Sequence, residues 1–469
     1  MSLAEIADAV GGRVSPGDEA VLVEGDAFLD SRFPSVHGLF VAFAGERVDG
    51  HDYARAAVDG GASAVLGSRP VGAPAVVVDD VQDAIGRLAR HVLSRVRDLT
   101  VIGLTGSQGK TSTKDMLAVI LGDAAETVAP TESLNNEIGV PLTALRVTEQ
   151  TRYLVVEMGA RGLGHIGYLA GIVRPSVGLV LNVGVAHLGE FGNQEGIAAA
   201  KGELVESLPR DGLAVLNADD ERVLAMAART DAPVMTFGSR EAADVLLSDV
   251  RLGPGGHPNL RLTWRGASTD LTLRYIGEHQ ATNAAAAAAT ALGVGLGFDE
   301  VMASLRTAMP LSKWRMDVAT SPDGVVVIND AYNANPDSMR AGVKALVDVA
   351  GLRGGARTFA VLGEMLELGD ASGAEHMALG RLVAGLGITV LVTVGAGARP
   401  IHDSALLEGS WGGTAWSAGD PAEALARLRG ELRRGDVVLV KASRAAGLEG
   451  LAAALLAGQE RMTRTDHDR

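Results

Sequence analysis

The chain has 469 residues, 47% hydrophobic and 21% charged, with a net charge of −15 and no cysteine. Its length predicts about three domains, and its charge argues against general nucleic-acid binding. The missing cysteines exclude disulfides, Cys-ligated zinc, iron–sulfur clusters and thiol catalysis.

The N-terminus lacks a charged region followed by a long apolar run, so no secretory signal is expected and a cytoplasmic location follows. The first unit, 1–98, reads as a small α/β domain. A helix over 3–10 precedes short strands at 20–23, 39–42, 64–66 and 75–78, and a helix over 81–96 closes it. Asp30-Ser31-Arg32 and Asp49-Gly-His51 are its polar stretches; alone, the first reads as an exposed turn.

The second unit, 99–311, alternates strand and helix, the pattern of a mainly parallel sheet covered on both faces. Strands are expected at 99–104, 153–156, 177–182 and 213–217, and helices at 110–121, 197–207 and 221–228. Antiparallel strands at 260–264 and 271–275 precede an alanine-rich helix containing 284–289, which reads as buried rather than membrane-spanning because Glu278 and Asn283 bound it.

The first strand runs into Thr105-Gly106-Ser107-Gln108-Gly109-Lys110-Thr111-Ser112. Glycines bring backbone N–H groups close to an anion, and the helix that follows adds its positive end. Lys110 supplies a mobile charge and Thr111 a hydroxyl suited to a phosphate-bound magnesium. The strict phosphate-loop spacing is missed by one residue, because Leu104 stands where the first glycine belongs.

A parallel sheet binds ligands beyond the carboxyl ends of its strands. Glu157, Asn182, His187, Asp219 and Asp220 fall at such ends. Glu157 is the candidate metal carboxylate and His187 a second candidate. Lys201, on an amphipathic helix, reads by itself as a solvated lysine. Asn135 and Asn136 lie in a polar loop, which is either a substrate loop or a connection.

The third unit, 312–469, alternates again, with strands at 325–328, 358–362, 390–394 and 437–440. Its helices are expected at 336–350, 373–384, 421–432 and 447–455. It is Rossmann-like but lacks G-x-G-x-x-G after its first strand, so nicotinamide binding is unsupported. Asp330, Tyr332, Asn333 and Asn335 follow that strand, as a polar site or as a turn capping the helix begun by Pro336.

These stretches together resemble the Mur ligases, over about 20–455. The likeness is carried by Asp30-Ser-Arg32, Asp49-Gly-His51, Thr105–Thr111, Asn135–Pro141, Glu157-Met-Gly159, Asn182–Gly192, Ala200-Lys-Gly-Glu203 and His279–Asn283. In the third unit it is carried by Asp330–Met339, Leu362–Gly369 and Lys441-Ala-Ser-Arg444. The shortened phosphate loop is itself what that family shows.

The resemblance implies three domains: a UDP-substrate-binding N-terminal domain, a central phosphate-loop ATPase domain, and a C-terminal Rossmann-like domain that takes the incoming dipeptide and closes on ATP. It implies ATP and two magnesium ions. Thr111 and Glu157 would hold one ion, and His187 would help hold the second, supported by Lys201 as a carbamate. Lys110 would hold the β- and γ-phosphates, Arg315 would reach them, Asn283 would contact adenine, and Asp330 and Tyr332 the ribose and base. Ser31 and Arg32 would touch the uridine part; Asn135, Asn136, Asn333 and Asn335 are further substrate candidates.

Within the family, the likeness implies ligation of D-alanyl-D-alanine to UDP-N-acetylmuramoyl-tripeptide by a monomer, with no membrane insertion. One departure is Lys313-Trp314-Arg315, where many relatives have glycine before the arginine. The alternative is the sister ligase that adds a third-position diamino acid, but its Asp-Asn-Pro-Arg stretch is missing here. Folylpolyglutamate synthetases lack the first domain. A nucleotide-binding regulator without ligase activity would have no need of Lys110, Glu157, His187 and Lys201 together.

Overall fold

A computed structural model describes residues 1–45, 48–184 and 191–458, and the elements below are those found among them. Three sheets form in chain order. The first contains β1 (Arg13–Val14), β2 (Ala27–Phe28), β3 (Leu39–Val41), β4 (Ala64–Gly67) and β5 (Ala75–Val77), in the order β1-β5-β4-β3-β2. All of it is parallel except β1. The strand expected at 20–23 does not form; Leu22 makes only a single bridge to Ser2. The edges are instead the two-residue strands β1 and β2, too short to show a period of two.

The central sheet has nine strands: β6 (Thr100–Thr105), β7 (Thr127–Val128), β8 (Tyr153–Glu157), β9 (Val177–Val180), β10 (Leu213–Asn217), β11 (Val234–Gly238), β12 (Val245–Leu252), β13 (Pro258–Trp264) and β14 (Ala267–Thr272). Their order is β14-β13-β12-β11-β10-β9-β6-β8-β7. Strand β6 is buried on both faces: Ile102 and Leu104 enter one apolar cluster and Val101 another. That accounts for its near-continuous apolar run.

The β13–β14 hairpin turns through Arg265 and Gly266, both at positive φ, the geometry of a two-residue hairpin turn. This tight turn places the second strand at 267–272 rather than 271–275. Alanines 284–289 are fully buried in helix His279–Gly293, which packs closely on helix Lys110–Ala124. Among the described residues, no helix is long and apolar enough to cross a membrane.

The third sheet contains β15 (Asp317–Thr320), β16 (Val326–Asn329), β17 (Thr358–Leu362), β18 (Val390–Val394), β19 (Thr414–Ala418) and β20 (Val437–Lys441), in the order β15-β16-β20-β17-β18-β19. Only β15 is antiparallel. The three domains and their mostly parallel sheets agree with the expected α/β class.

Two crossings position the site. The chain leaves β6 for the β7–β8 side, then returns to β9 on the other side of β6. This reversal makes the carboxyl end of β6 a topological switch point, where open α/β sheets bind ligands. In the third sheet β20 returns to lie between β16 and β17, so Asp330, Gly363 and Lys441 meet at the ends of three adjacent strands.

Candidate active site between the central and C-terminal sheets

Register brings the first pair together. Leu104 of β6 lies opposite Glu157 of β8, although 53 residues separate them in the chain. Thr111 Oγ1 then donates to Glu157 Oε2 at 3.0 Å, and Ser133 Oγ and Asn135 Nδ2 donate to Oε1 at 2.8 and 2.9 Å. Burial would raise the pKa of this carboxyl. Lys110, Arg315 and the hydrogen bonds outweigh burial and hold it below its ordinary value.

The phosphate loop is fixed from both sides. Asn182 Oδ1 accepts the Ser107 and Gln108 amides at 2.9 and 3.0 Å, and Thr105 Oγ1 donates to Met158 O at 2.9 Å. The loop's anion site is therefore left to the first turn of helix Lys110–Ala124, whose leading N–H groups have no intrahelical acceptor. Lys110 Nζ donates to Gly106 O at 2.6 Å. Burial and the nearby Arg315 lower its pKa, against the opposing pull of Glu157.

Gly109 has φ +81, and a Cβ there would overlap the side-chain amide of Asn283. Gly109→Ala is expected to weaken ATP binding more than tenfold and to cost about 1–3 kcal/mol of stability, the usual range for a strained residue at a functional turn. Nucleotide titration and urea unfolding would measure the two effects; wild-type values in both would count against a strict glycine requirement.

Lys201 lies on helix Gln194–Glu206 and is only 5% exposed. The expectation of a solvated lysine is therefore overturned: this face of the helix packs against the sheet. Burial, reinforced by the charge of Lys110, pushes the Lys201 pKa well below the ordinary lysine value. His187 lies outside the described residues.

The C-terminal sheet closes the other wall. Asn335 Nδ2 donates to Ser107 O at 3.3 Å, across the two domains, while Asn335 Oδ1 caps helix Pro336–Gly351 through Ser338 N at 2.8 Å. The asparagine turn therefore both caps this helix and contacts the phosphate loop. The Arg315 guanidinium lies 4.2 Å from the centre of the Tyr332 ring, and its buried Nε has no hydrogen-bond partner among the described residues. Trp314, the expected departure from the family pattern, adopts φ +59. This left-handed conformation is the one glycine takes most easily.

A cavity of about 330 Å³ lies between these walls. Its lining includes Gly106–Ser112, Asn135, Asn136, Glu157, Lys201, Arg315, Tyr332, Asn333 and Asn335. A smaller cavity of about 60 Å³ adjoins it, lined by His279, Asn283, Asp330 and Lys441 among others. Burial is the main cause of the lowered His279 pKa. Asp330 is already engaged, taking Met316 N at 3.1 Å and Lys441 Nζ at 2.6 Å.

Ser31 and Arg32 do not line the cleft. Arg32 folds back on Asp30, with bonds of 2.9 and 2.6 Å, which pull the Asp30 pKa down to about 2. Asp219 and Asp220 are structural: Asp219 binds the Ser239 amide and Asp220 caps helix Glu221–Ala225. Sequence reasoning missed Ser133, Arg161, His165, Glu367 and Arg444, which also line the cleft. They sit on loops or, for His165, at the start of a helix, with no periodic signal; Ser133, Glu367 and Arg444 lay in stretches already singled out, but not as site residues.

Comparisons with known proteins agree with this geometry. Residues 28–93 match the profile described as the Mur ligase family catalytic domain, 104–291 the Mur ligase middle domain, and 314–444 the Mur ligase glutamate ligase domain. A UDP-N-acetylmuramoyl-tripeptide--D-alanyl-D-alanine ligase of Mycobacterium bovis is 47% identical, over 97% of this chain and 98% of the relative. A crystal structure of MurF from Acinetobacter baumannii superposes with TM-score 0.83 at 32% identity, covering 97% of this chain and 98% of that one. MurF ligase from Thermotoga maritima, solved in complex with ADP, gives TM-score 0.76 at 29% identity, over 92% and 96% of the two chains. Matched along nearly its whole length, the chain belongs to the Mur ligase family.

Proposed function

We propose that this chain joins D-alanyl-D-alanine to UDP-N-acetylmuramoyl-tripeptide at the expense of ATP, giving the pentapeptide precursor of peptidoglycan. The observation that carries the reading is the single cleft in which the phosphate loop, Glu157 and Lys201 of one domain meet Arg315, Tyr332 and Asn335 of another. The relative whose name carries these substrates matches 97% of the chain.

The proposed domains are 1–98 for the UDP-linked substrate, 99–311 for ATP, and 312–469 for the incoming dipeptide and closure. Ser31 and Arg32 take the uridine part at the carboxyl edge of the first sheet. Nearby, His51 is held by Asp49 and accepts the Ser68 amide at 2.8 Å. Asn135, Asn136, Asn333 and Asn335 face the substrates.

The described donors fit magnesium. Thr111 and Glu157 present hard oxygens at the start of the phosphate-binding helix, the ligand chemistry that ion prefers. Thr111 and Glu157 would hold one ion, and His187 with carbamylated Lys201 a second. Magnesium, when bound, offsets the charge on the phosphates.

In the proposed reaction the tripeptide carboxylate attacks the γ-phosphorus and the bond to ADP breaks. The dipeptide amine then attacks the acyl phosphate, the amide forms, inorganic phosphate leaves and a proton is released. The protein supplies position and charge: Lys110 and Arg315 to the phosphates, Asn283 to adenine, Asp330 and Tyr332 to the nucleoside. No protein nucleophile is required. The enzyme acts as a cytoplasmic monomer.

ADP release in the presence of UDP-tripeptide, D-alanyl-D-alanine and magnesium tests the reading. Release that depends on both substrates is expected; release no greater than with either one omitted would defeat it.

A further inference from the structure

One turn beyond the phosphate loop, helix Lys110–Ala124 carries two adjacent charges, Lys114 and Asp115, that are 0% and 1% exposed. Lys114 Nζ lies 2.5 Å from Asp115 Oδ1 and donates to Pro130 O at 2.7 Å and Ser312 Oγ at 2.9 Å. Asp115 Oδ2 accepts the amides of Leu311 and Ser312 at 3.0 and 2.9 Å, and Oδ1 accepts the Ser312 hydroxyl at 3.0 Å. Every one of those Asp115 acceptor contacts beyond Lys114 goes to the segment that crosses into the C-terminal domain.

The pair therefore ties together three stretches of chain. One is the helix that begins with Lys110 and Thr111. The second is the segment at 130–133, which delivers Ser133 to Glu157. The third is the crossing at 311–316, which delivers Arg315 to the same cleft. The far end of the crossing is held by the other domain: Asp330 accepts Met316 N and is paired with buried Lys441. Only Lys313, Trp314 and Arg315 lie between the two anchors. So short a span leaves Arg315 little freedom once both ends are fixed.

Two buried charges are costly to maintain, and an apolar pair of similar size often folds as well. Neither side chain lines the cleft, so neither touches a substrate there. A device that specifies one arrangement of three segments explains their presence.

We propose that Lys114 and Asp115 are positioning residues that pin the interdomain crossing to the phosphate-loop helix, and so set where Arg315 stands during phosphoryl transfer. The activity test rests on the ligase reading above; a second test, using ADP alone, does not.

The variants are Asp115→Asn, Ser312→Ala and the double change Lys114→Met with Asp115→Leu, each in the wild-type and the Arg315→Lys background. In the wild-type background kcat is expected to fall about fivefold for Ser312→Ala and about thirtyfold for Asp115→Asn, with the KM for ATP changed less than about threefold. In the Arg315→Lys background the same changes should cost less than about twofold, because the clamp then has less left to position. Equal losses in both backgrounds, or no loss in either, would overturn the proposal. Ser312→Ala buries no lone charge and decides the matter if Asp115→Asn fails to fold.

ADP binding read by the fluorescence of Trp314, with Trp314→Phe as the blank, supplies the ligation-independent test. The ADP-linked change should be lost in Ser312→Ala while ADP still binds; an unaltered change would overturn the clamp. A wild-type chain that shows this change but never ligates would defeat the ligase reading and leave the clamp standing.

Discussion

Replacing Lys201 with alanine is expected to lower ligation about 10²–10³-fold, the usual cost of losing one electrostatic group at a reacting centre. Among the described residues no carboxylate pairs with Lys201, and burial with the charge of Lys110 favours its neutral amine. A neutral amine is the form that adds carbon dioxide: the nitrogen–carbon bond forms, a proton leaves, and the side chain becomes an anion. Partial rescue by a small added carboxylate, and loss of wild-type activity on removal of carbon dioxide with recovery on adding bicarbonate, are the matching results. Wild-type rates in the alanine variant would rule out the carbamate.

The same site has a stability consequence. With its folded pKa lowered, unmodified Lys201 takes up a proton more readily in the unfolded chain. Its contribution to stability therefore rises with pH between that lowered value and the ordinary lysine value of about 10.4, and falls on acidification. Lys201→Met should remove this slope. Urea unfolding of both chains without carbon dioxide, at several pH values, would measure it; parallel curves would contradict the burial argument.

Replacing Lys110 with methionine is expected to reduce kcat/KM about 10²–10³-fold, since the γ-phosphate loses its mobile counter-charge. The change should leave the fold intact, because methionine fills a similar volume and relieves a partly buried ammonium. It has a second consequence at Glu157, whose pKa stays low because Lys110, Arg315 and the hydrogen bonds from Asn135 and Ser133 outweigh burial. Without Lys110 the carboxyl titrates at higher pH, so the acid limb of residual activity moves upward. A pH profile of Lys110→Met with an unshifted acid limb would show that Lys110 does not govern Glu157.

The expected β-α alternation placed most strands of the two parallel sheets, because strands buried on both faces are written as unbroken apolar runs. Thr358–Leu362 and Val390–Val394 formed where expected. Strand Val234–Gly238 lies inside the central sheet and Asp317–Thr320 at an edge of the third; both escaped notice because partly exposed residues interrupt the apolar run. The turn at Arg265-Gly266 showed how one local geometry can shift a neighbouring strand by several residues.

The functional residues divide in the same way. Thr105–Thr111 was legible because strand, glycine turn, lysine and helix are contiguous, and local backbone chemistry dictates what such a segment binds. What Lys201 and Glu157 do depends on distant segments. Glu157 meets Thr111 only because β8 pairs with β6 in one register, and Lys201 is buried only because its helix packs that face on the sheet. No period along one helix reports what covers it. Arg315 is a further step removed, since its place is set by two domains held at either end of a short crossing. By itself, the sequence pointed to a phosphate site at the end of β6. The tertiary structure decided which charges surround that phosphate, because strand order, register and domain contact join residues far apart in the chain.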